Sequence, residues 1–234
     1  MRDLWFVIVN AASESPFEAI RAFVSATADT NDVIESAEEA AREFGLLTPD
    51  AMTSEFLRFL AAQAAGEAAS SGHTPTGIIM SPACGVLGLH VFEGINAASQ
   101  TGHLTCIEPE VQHQQLAKKA FADAGQRPNT FRFLPSSPLD VIGRLAAESY
   151  DLAVAECAVE EIQPLVEQTL PALRVGGVLI VLDTLLDGLV ADDERTDRQT
   201  NQARQADEAI RFLESARVAR LPLGAGATII TKVG

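Results

Sequence analysis

The sequence predicts an α/β fold: a seven-stranded, mostly parallel sheet with a C-terminal antiparallel hairpin, helices on both faces and a helical N-terminal extension. Three observations predict it. After Thr76, short apolar runs alternate with helical stretches across Gly-marked turns, and alternation on this scale means βαβ units and a parallel sheet. The last two runs, residues 218–221 and 228–232, are joined through Gly224-Ala225-Gly226. That link is too short for a parallel crossover, so the two strands form a hairpin. Up to about Ala69 the pattern is helical. The 234 residues fit one large domain or two small ones, and the change of texture divides the chain into an extension over 1–70 and a main domain over 71–234.

Within the extension, Ala37, Ala40, Ala41 and Phe44 recur at helical spacing, with Glu38, Glu39, Arg42 and Glu43 between them. Gly45 ends that helix, and Thr48-Pro49-Asp50 opens the next. Phe56, Leu57, Leu60 and Ala64 form its inner stripe. Trp5 to Val9 fits a strand and a helix start equally. Residues 70–75 read as a loop. The main domain then reads as strand 77–80, helix 86–98, strand 104–107, and helix 110–124 closed by Gly125. Strand 130–134, helix 139–148 and strand 152–155 follow, then a helical stretch interrupted by Pro164 and Pro171. Strand 178–182 is almost wholly apolar and β-branched, as expected of a strand covered on both faces. Residues 192–213 read as a charged helix with Ala203, Ala206, Ile210 and Leu213 on its inner stripe.

Composition narrows the partners. The formal net charge is −15. A nucleic-acid surface needs clustered Lys and Arg, and an anionic membrane face attracts the same residues; neither partner is expected. No apolar run reaches the roughly 18 residues of a membrane span, and residues 4–9 are too short for a secretory core. Three scattered cysteines without a signal peptide point to a reduced, cytoplasmic protein.

Open parallel sheets bind ligands beyond the carboxyl ends of their strands, at the switch in strand order. After the first strand comes Ser81-Pro82-Ala83-Cys84-Gly85-Val86-Leu87-Gly88. Gly85 and Gly88 keep the second and third glycines of a G-x-G-x-x-G loop, and Ala83 replaces the first. A bare strand–helix turn reads equally well. After the second strand comes Glu108, 23 residues beyond Gly85, where a carboxylate can accept both hydroxyls of a nucleoside ribose. As an alternative, Glu108-Pro109-Glu110 is a good helix start. Ser136-Ser137-Pro138 could line an adenine ring or cap a helix. Glu156 and Asp183 follow the fourth and fifth strands and converge on one cleft, where they could hold a divalent cation or remain solvated acids. His73, His90, His103 and His113 lack metal-ligand spacing. Cys84, Cys106 and Cys157 read as packing residues.

Taken together, these residues resemble the cation-dependent, catechol and caffeoyl-CoA type of S-adenosylmethionine O-methyltransferase, from about Asp32 to Lys232. Thr48-Pro49-Asp50 resembles the family's Ser-Pro-Glu helix start, and residues 104–125 keep its ribose-binding strand and spacing. Tyr150-Asp151-Leu152 is similar to its Phe-Asp-Leu, Leu173-Arg174-Val175-Gly176-Gly177 to its Leu-Arg-Pro-Gly-Gly, and Leu221-Pro222-Leu223-Gly224 to its terminal hairpin. The resemblance implies a Rossmann-like fold, S-adenosylmethionine as cofactor, a small acceptor molecule and a homodimer. It implies cofactor contacts at Leu47, Ser81, Pro82, Ala83, Gly85, Leu87, Glu108, Ser137, Pro138 and Glu156, with Glu156 and Asp183 as the catalytic acids. There are departures. The family's first-strand glutamate is Ile79, its first two loop glycines are Ser81 and Ala83, its lysine is Val159, a nearby second acid is Ala158, and Thr184 stands for an asparagine. The cofactor therefore carries over better than the divalent metal, whose ligands stay unassigned.

The expected activity is methyl transfer from S-adenosylmethionine to a hydroxyl of a small, phenolic acceptor. A non-catalytic relative that binds the cofactor or dimerises is the alternative. A nicotinamide-dependent oxidoreductase ranks third, because the helical leader, the hairpin and the missing Tyr-x-x-x-Lys pair stand against it.

Overall fold

The computed structural model describes residues 15–98 and 100–234; Trp5 to Val9 lies outside them. Three helices come first: α1 (Pro16–Thr27), α2 (Asp32–Glu43) and α3 (Ala51–Ser70). Ser15 and Glu18 close a capping box on α1. Gly45, at φ +72°, ends α2 in a Schellman turn: its amide reaches Arg42 O and that of Leu46 reaches Ala41 O. Asp50 caps α3, accepting from the Thr53 amide (2.8 Å) and hydroxyl (2.6 Å).

The main domain follows as β1 (Thr76–Met80), α4 (Cys84–Ala97), β2 (His103–Ile107), α5 (Val111–Asp123), β3 (Phe131–Leu134), α6 (Pro138–Val141), β4 (Tyr150–Ala155), α7 (Ile162–Thr169), β5 (Leu173–Val181), α8 (Arg198–Arg211), β6 (Ala216–Leu221) and β7 (Ala227–Lys232). The strand order is β3-β2-β1-β4-β5-β7-β6. Strands β1 to β5 pair in parallel, and β7 is antiparallel to both β5 and β6. This is the predicted seven-stranded sheet. Successive residues of the central strands serve opposite cores. Ile79, Leu104, Cys106, Leu152, Val154 and Ile180 face α2 to α5. Ile78, Met80, Ile107, Ala153, Leu179 and Val181 face α7 and α8. Burial on both faces explains the continuous apolar runs.

The extension shares the first of these cores. Leu57, Ala61 and Ala65 of α3 pack on α4, where Gly94 has no room for a side chain: a Cβ there would stand 2.2 Å from Arg58 O and 2.7 Å from Ala61 Cβ. Polar ties fasten the same seam. Glu93 of α4 accepts from Asn31 Nδ2 at 2.7 Å and Arg58 Nη1 at 3.3 Å. At the N-terminal ends of β1 and β4, Asp151 is buried and takes four donors: His73 Nε2, Arg174 Nη1 and the amide and hydroxyl of Thr76. The Tyr-Asp-Leu motif is thus a structural pin at the start of β4.

Several element boundaries differ from expectation. The helix expected over 139–148 is the four-residue α6 followed by a 3-10 turn, Ile142–Arg144. Val141 and Gly143 are poor helix formers, and Leu145 is already extended (ψ 152°). The helix expected from 192 starts at Arg198 because Asp197 caps it, accepting the Thr200 amide at 3.0 Å. Residues before it form the 3-10 segment Leu186–Ala191. Strand β5 begins five residues early and passes Gly176 at φ +83° through an irregularity in its register with β4. Pro164 is tolerated in the first turn of α7, and Pro171 sits in the 3-10 turn Leu170–Ala172.

Candidate active site

The sheet order reverses between β1 and β4, and the loops beyond their carboxyl ends meet there. Ser81, the residue after β1, is buried; its hydroxyl donates to Glu156 Oε2 at 2.8 Å and accepts the Ala83 amide at 3.0 Å. The Glu156 amide bonds Met80 O at 2.8 Å. Two strand ends are thereby locked into one corner of the crevice. The Ser81 hydroxyl holds the loop after β1 in place. Burial raises the pKa of Glu156 above the ordinary carboxylate range, and repulsion from Asp183 and Glu108 adds to it, while the Ser81 hydrogen bond opposes the shift.

The loop glycines serve packing. A Cβ on Gly85 would lie 2.8 Å from Ala117 Cα, and one on Gly88 would lie 2.5 Å from the Phe121 ring. Both let α5 approach α4. Leu87 is 1% exposed; its side chain lies in the core and its amide bonds Ala83 O, so it braces the loop from behind. Pro82, Ala83 and Gly85 border a cavity of about 130 Å³ with Ala37, Leu46 and His113. Leu47, in the loop between α2 and α3, is 69% exposed.

Glu108 directly follows β2 and is 3% exposed. Its Oε1 accepts the Glu110 amide at 2.8 Å and the His113 imidazole Nδ1 at 2.9 Å. Its carbonyl oxygen accepts from Gln114 Nε2 at 2.7 Å. His113, to which the sequence assigns no role, stands against Glu108 and borders the cavity. Ser137 is exposed and Pro138 half-buried at the first position of α6, beyond β3.

Beyond β5 stands Asp183, in the left-handed region at φ +57°, which short polar side chains tolerate better than most. Its Oδ1 accepts the Ala225 amide at 2.9 Å. This fixes the β6–β7 turn against the end of β5. Thr184 is 4% exposed, and its hydroxyl is spent on Gly226 O (3.2 Å) and Thr228 Oγ1 (2.8 Å). Thr184 has its hydroxyl turned into the hairpin, whereas Asp183 and Glu156 each have one oxygen held and the other without a hydrogen-bond partner among the described residues. Among the described residues no group of three or more His, Cys, Asp or Glu is arranged to bind a metal.

Comparisons with known proteins identify the family and the fold. The family model described as O-methyltransferase matches residues 80–233. A curated protein of Mycobacteroides abscessus, named "Putative O-methyltransferase", is 28% identical over 229 residues, covering 96% of this chain and all of that protein. A protein of the same name from Mycobacterium sp. strain KMS is 30% identical over 213 residues, 89% of this chain and 90% of its own. A crystal structure of a Corynebacterium glutamicum protein is 45% identical, with TM-score 0.85, over 94% of this chain and 98% of that one. The fold is also that of the O-methyltransferase TomG from Streptomyces achromogenes, solved in complex with SAM (19% identity, TM-score 0.76, 92% and 96% coverage). The chain therefore belongs to the O-methyltransferase family.

Proposed function

We propose that the protein transfers a methyl group from S-adenosylmethionine to a hydroxyl of a small, phenolic acceptor. The carrying observation is Glu108: a buried carboxylate at the end of β2, beside the β1–β4 switch, with one oxygen held and the other without a hydrogen-bond partner among the described residues. That oxygen suits the ribose diol of a nucleoside. Residues Ser81 to Gly85 and Leu87 form and back the cofactor loop, Ser137 and Pro138 flank the adenine, and Leu47 covers the methionine end. The acceptor oxygen attacks the methyl carbon in line. The carbon–sulfur bond breaks, its electrons stay on sulfur, and neutral S-adenosylhomocysteine leaves. The acidic pair Glu156 and Asp183 favours the cationic sulfonium, and the acceptor's proton passes to one of these carboxylates. Burial makes Glu156 the more basic candidate. Holding the two partners at attack distance supplies most of the acceleration.

A second reading is a relative that binds the cofactor without turnover. The spent Thr184 hydroxyl and the absence of the family's lysine, which is Val159 here, favour it. Of the extension over 1–70, the described residues 15–70 seat on the main domain of 71–234. Phe17, Ile20 and Phe23 stand exposed on α1 and support a homodimer. No described helix is long and apolar enough to cross a membrane, and a cytoplasmic site of action accords with the three free cysteines. The test is transfer of labelled methyl from S-adenosylmethionine to a panel of phenols. Labelled product supports the catalytic reading; cofactor binding without product supports the second.

A further inference from the structure

The count of acceptor sites on Glu108 carries one further inference, which rests on the ribose reading of that residue. A carboxylate oxygen accepts about two hydrogen bonds. Oε1 already has two donors, the Glu110 amide at 2.8 Å and His113 Nδ1 at 2.9 Å. Oε2 has none among the described residues. The two donors come from different places. One is backbone at the start of α5. The other is a side chain one turn further on, which also borders the cavity beside Pro82, Ala83 and Gly85. Gln114, the next residue, grips the Glu108 carbonyl at 2.7 Å and is itself buried. The first turn of α5 thus holds the backbone and one carboxylate oxygen of Glu108 at once. Nothing else among the described residues fixes the carboxylate's rotation.

We propose that His113 is a positioning residue for cofactor specificity: by occupying Glu108 Oε1 it turns Oε2, with both of its free lone pairs, toward the ribose hydroxyls. Without the imidazole only the Glu110 amide holds Oε1, and the carboxylate is freer to turn and share its oxygens with water. Ribose recognition then weakens while contacts to the adenine and amino-acid ends are untouched. The signature is therefore a change in discrimination between ligands with and without the diol, and general destabilisation does not produce it.

The experiment measures, by calorimetry on the full-length protein, the affinity for S-adenosylhomocysteine and for its analogue lacking both ribose hydroxyls. The wild type should prefer the ribose ligand by about tenfold or more, the worth of one or two such hydrogen bonds. His113→Phe should lose at least about threefold of that preference, and His113→Gln, whose amide can still donate to Oε1, should retain it. Glu108→Gln serves as the reference for a damaged diol contact. If the wild type does not discriminate between the ligands, the ribose reading of Glu108 fails and the proposal falls with it. If the wild type discriminates, Glu108→Gln does not, and His113→Phe keeps the wild-type ratio, the positioning role alone is overturned. Equal weakening of both ligands in His113→Phe also overturns it, because that marks a merely structural residue.

Discussion

Replacing Gly94 with alanine should destabilise the protein, whereas the same replacement at Gly66 should stabilise it. Both glycines lie inside helices, and Gly→Ala in a helix interior gains about 0.5–1 kcal/mol from backbone entropy. At Gly66 of α3 a new Cβ meets nothing within 4 Å, so the gain is realised. For a chain of this size it corresponds to a rise in Tm of about 1–4 °C. At Gly94 the Cβ would stand 2.2 Å from Arg58 O, 2.7 Å from Ala61 Cβ and 3.0 Å from Ala62 N. Two of these atoms are α3 backbone, so a whole helix must retreat. Overpacking of this kind costs about 1–3 kcal/mol, and the overlap places Gly94→Ala at the upper end. The net loss is about 2 kcal/mol, or a fall in Tm of about 4–8 °C. The displaced helix also starts at the cleft: Thr53 Oγ1 and Asp183 Oδ1 both face Gly224, so affinity for S-adenosylhomocysteine should fall as well. Thermal and urea melts of the two single variants decide the matter. A Gly94→Ala protein that melts as high as Gly66→Ala would refute the seating of α3 on α4.

Other consequences follow from the site. The folded-state pKa of Glu156 is raised by burial and by its acidic neighbours, so its charged form costs stability, a penalty absent below the ordinary carboxylate pKa and imposed as pH rises through the folded value. Glu156→Gln should therefore melt higher than wild type at neutral pH, lose that advantage in acid, and bind cationic S-adenosylmethionine less well; equal melting at neutral pH would contradict the assignment. Cofactor binding should be indifferent to EDTA, and magnesium titrated into chelator-treated protein should show no micromolar site; such a site, abolished by Asp183→Asn, would restore the metal reading. Cys84 and Cys106 are fully buried, and contact with Cys84 raises the pKa of Cys106 well above the ordinary thiol range. The Cys157 thiol is half-buried and pushed up to about 12 by burial and nearby acids. Thiol-reagent labelling followed by mass spectrometry should find Cys157 slow and the other two silent until unfolding; rapid labelling of Cys84 in the folded protein would contradict this.

The legible parts of the fold were those encoded by local pattern. The apolar runs of β1, β2, β4 and β5 announced a sheet buried on both faces, and Gly45 and Asp50 marked helix ends through backbone chemistry that depends on a few neighbouring residues. The missed parts depend on competition or on distance. Residues 192–197 looked helical by composition, but Asp197 captured the Thr200 amide and set the start of α8. Gly85 resembled a ligand-loop glycine, yet its missing side chain is matched to Ala117, far along the chain. Thr184 stands for an asparagine of the resembled family, but only the fold shows that Thr228, on another strand, takes up its hydroxyl. His113 was invisible because a strand-end acid and a helix residue five positions later share no periodicity; their contact exists only after the chain turns between β2 and α5.

The central claim is that the crevice beyond β1, β2 and β4 holds S-adenosylmethionine by its ribose at Glu108. Calorimetric titration of S-adenosylhomocysteine into wild type and Glu108→Ala tests it most directly. Each charge-assisted hydrogen bond lost is worth about 1.5–3 kcal/mol, and tenfold in affinity is about 1.4 kcal/mol. The account predicts saturable binding to wild type and at least a tenfold loss in a variant that still melts cooperatively. A folded Glu108→Ala protein with wild-type affinity, or a wild type that does not bind, would contradict it.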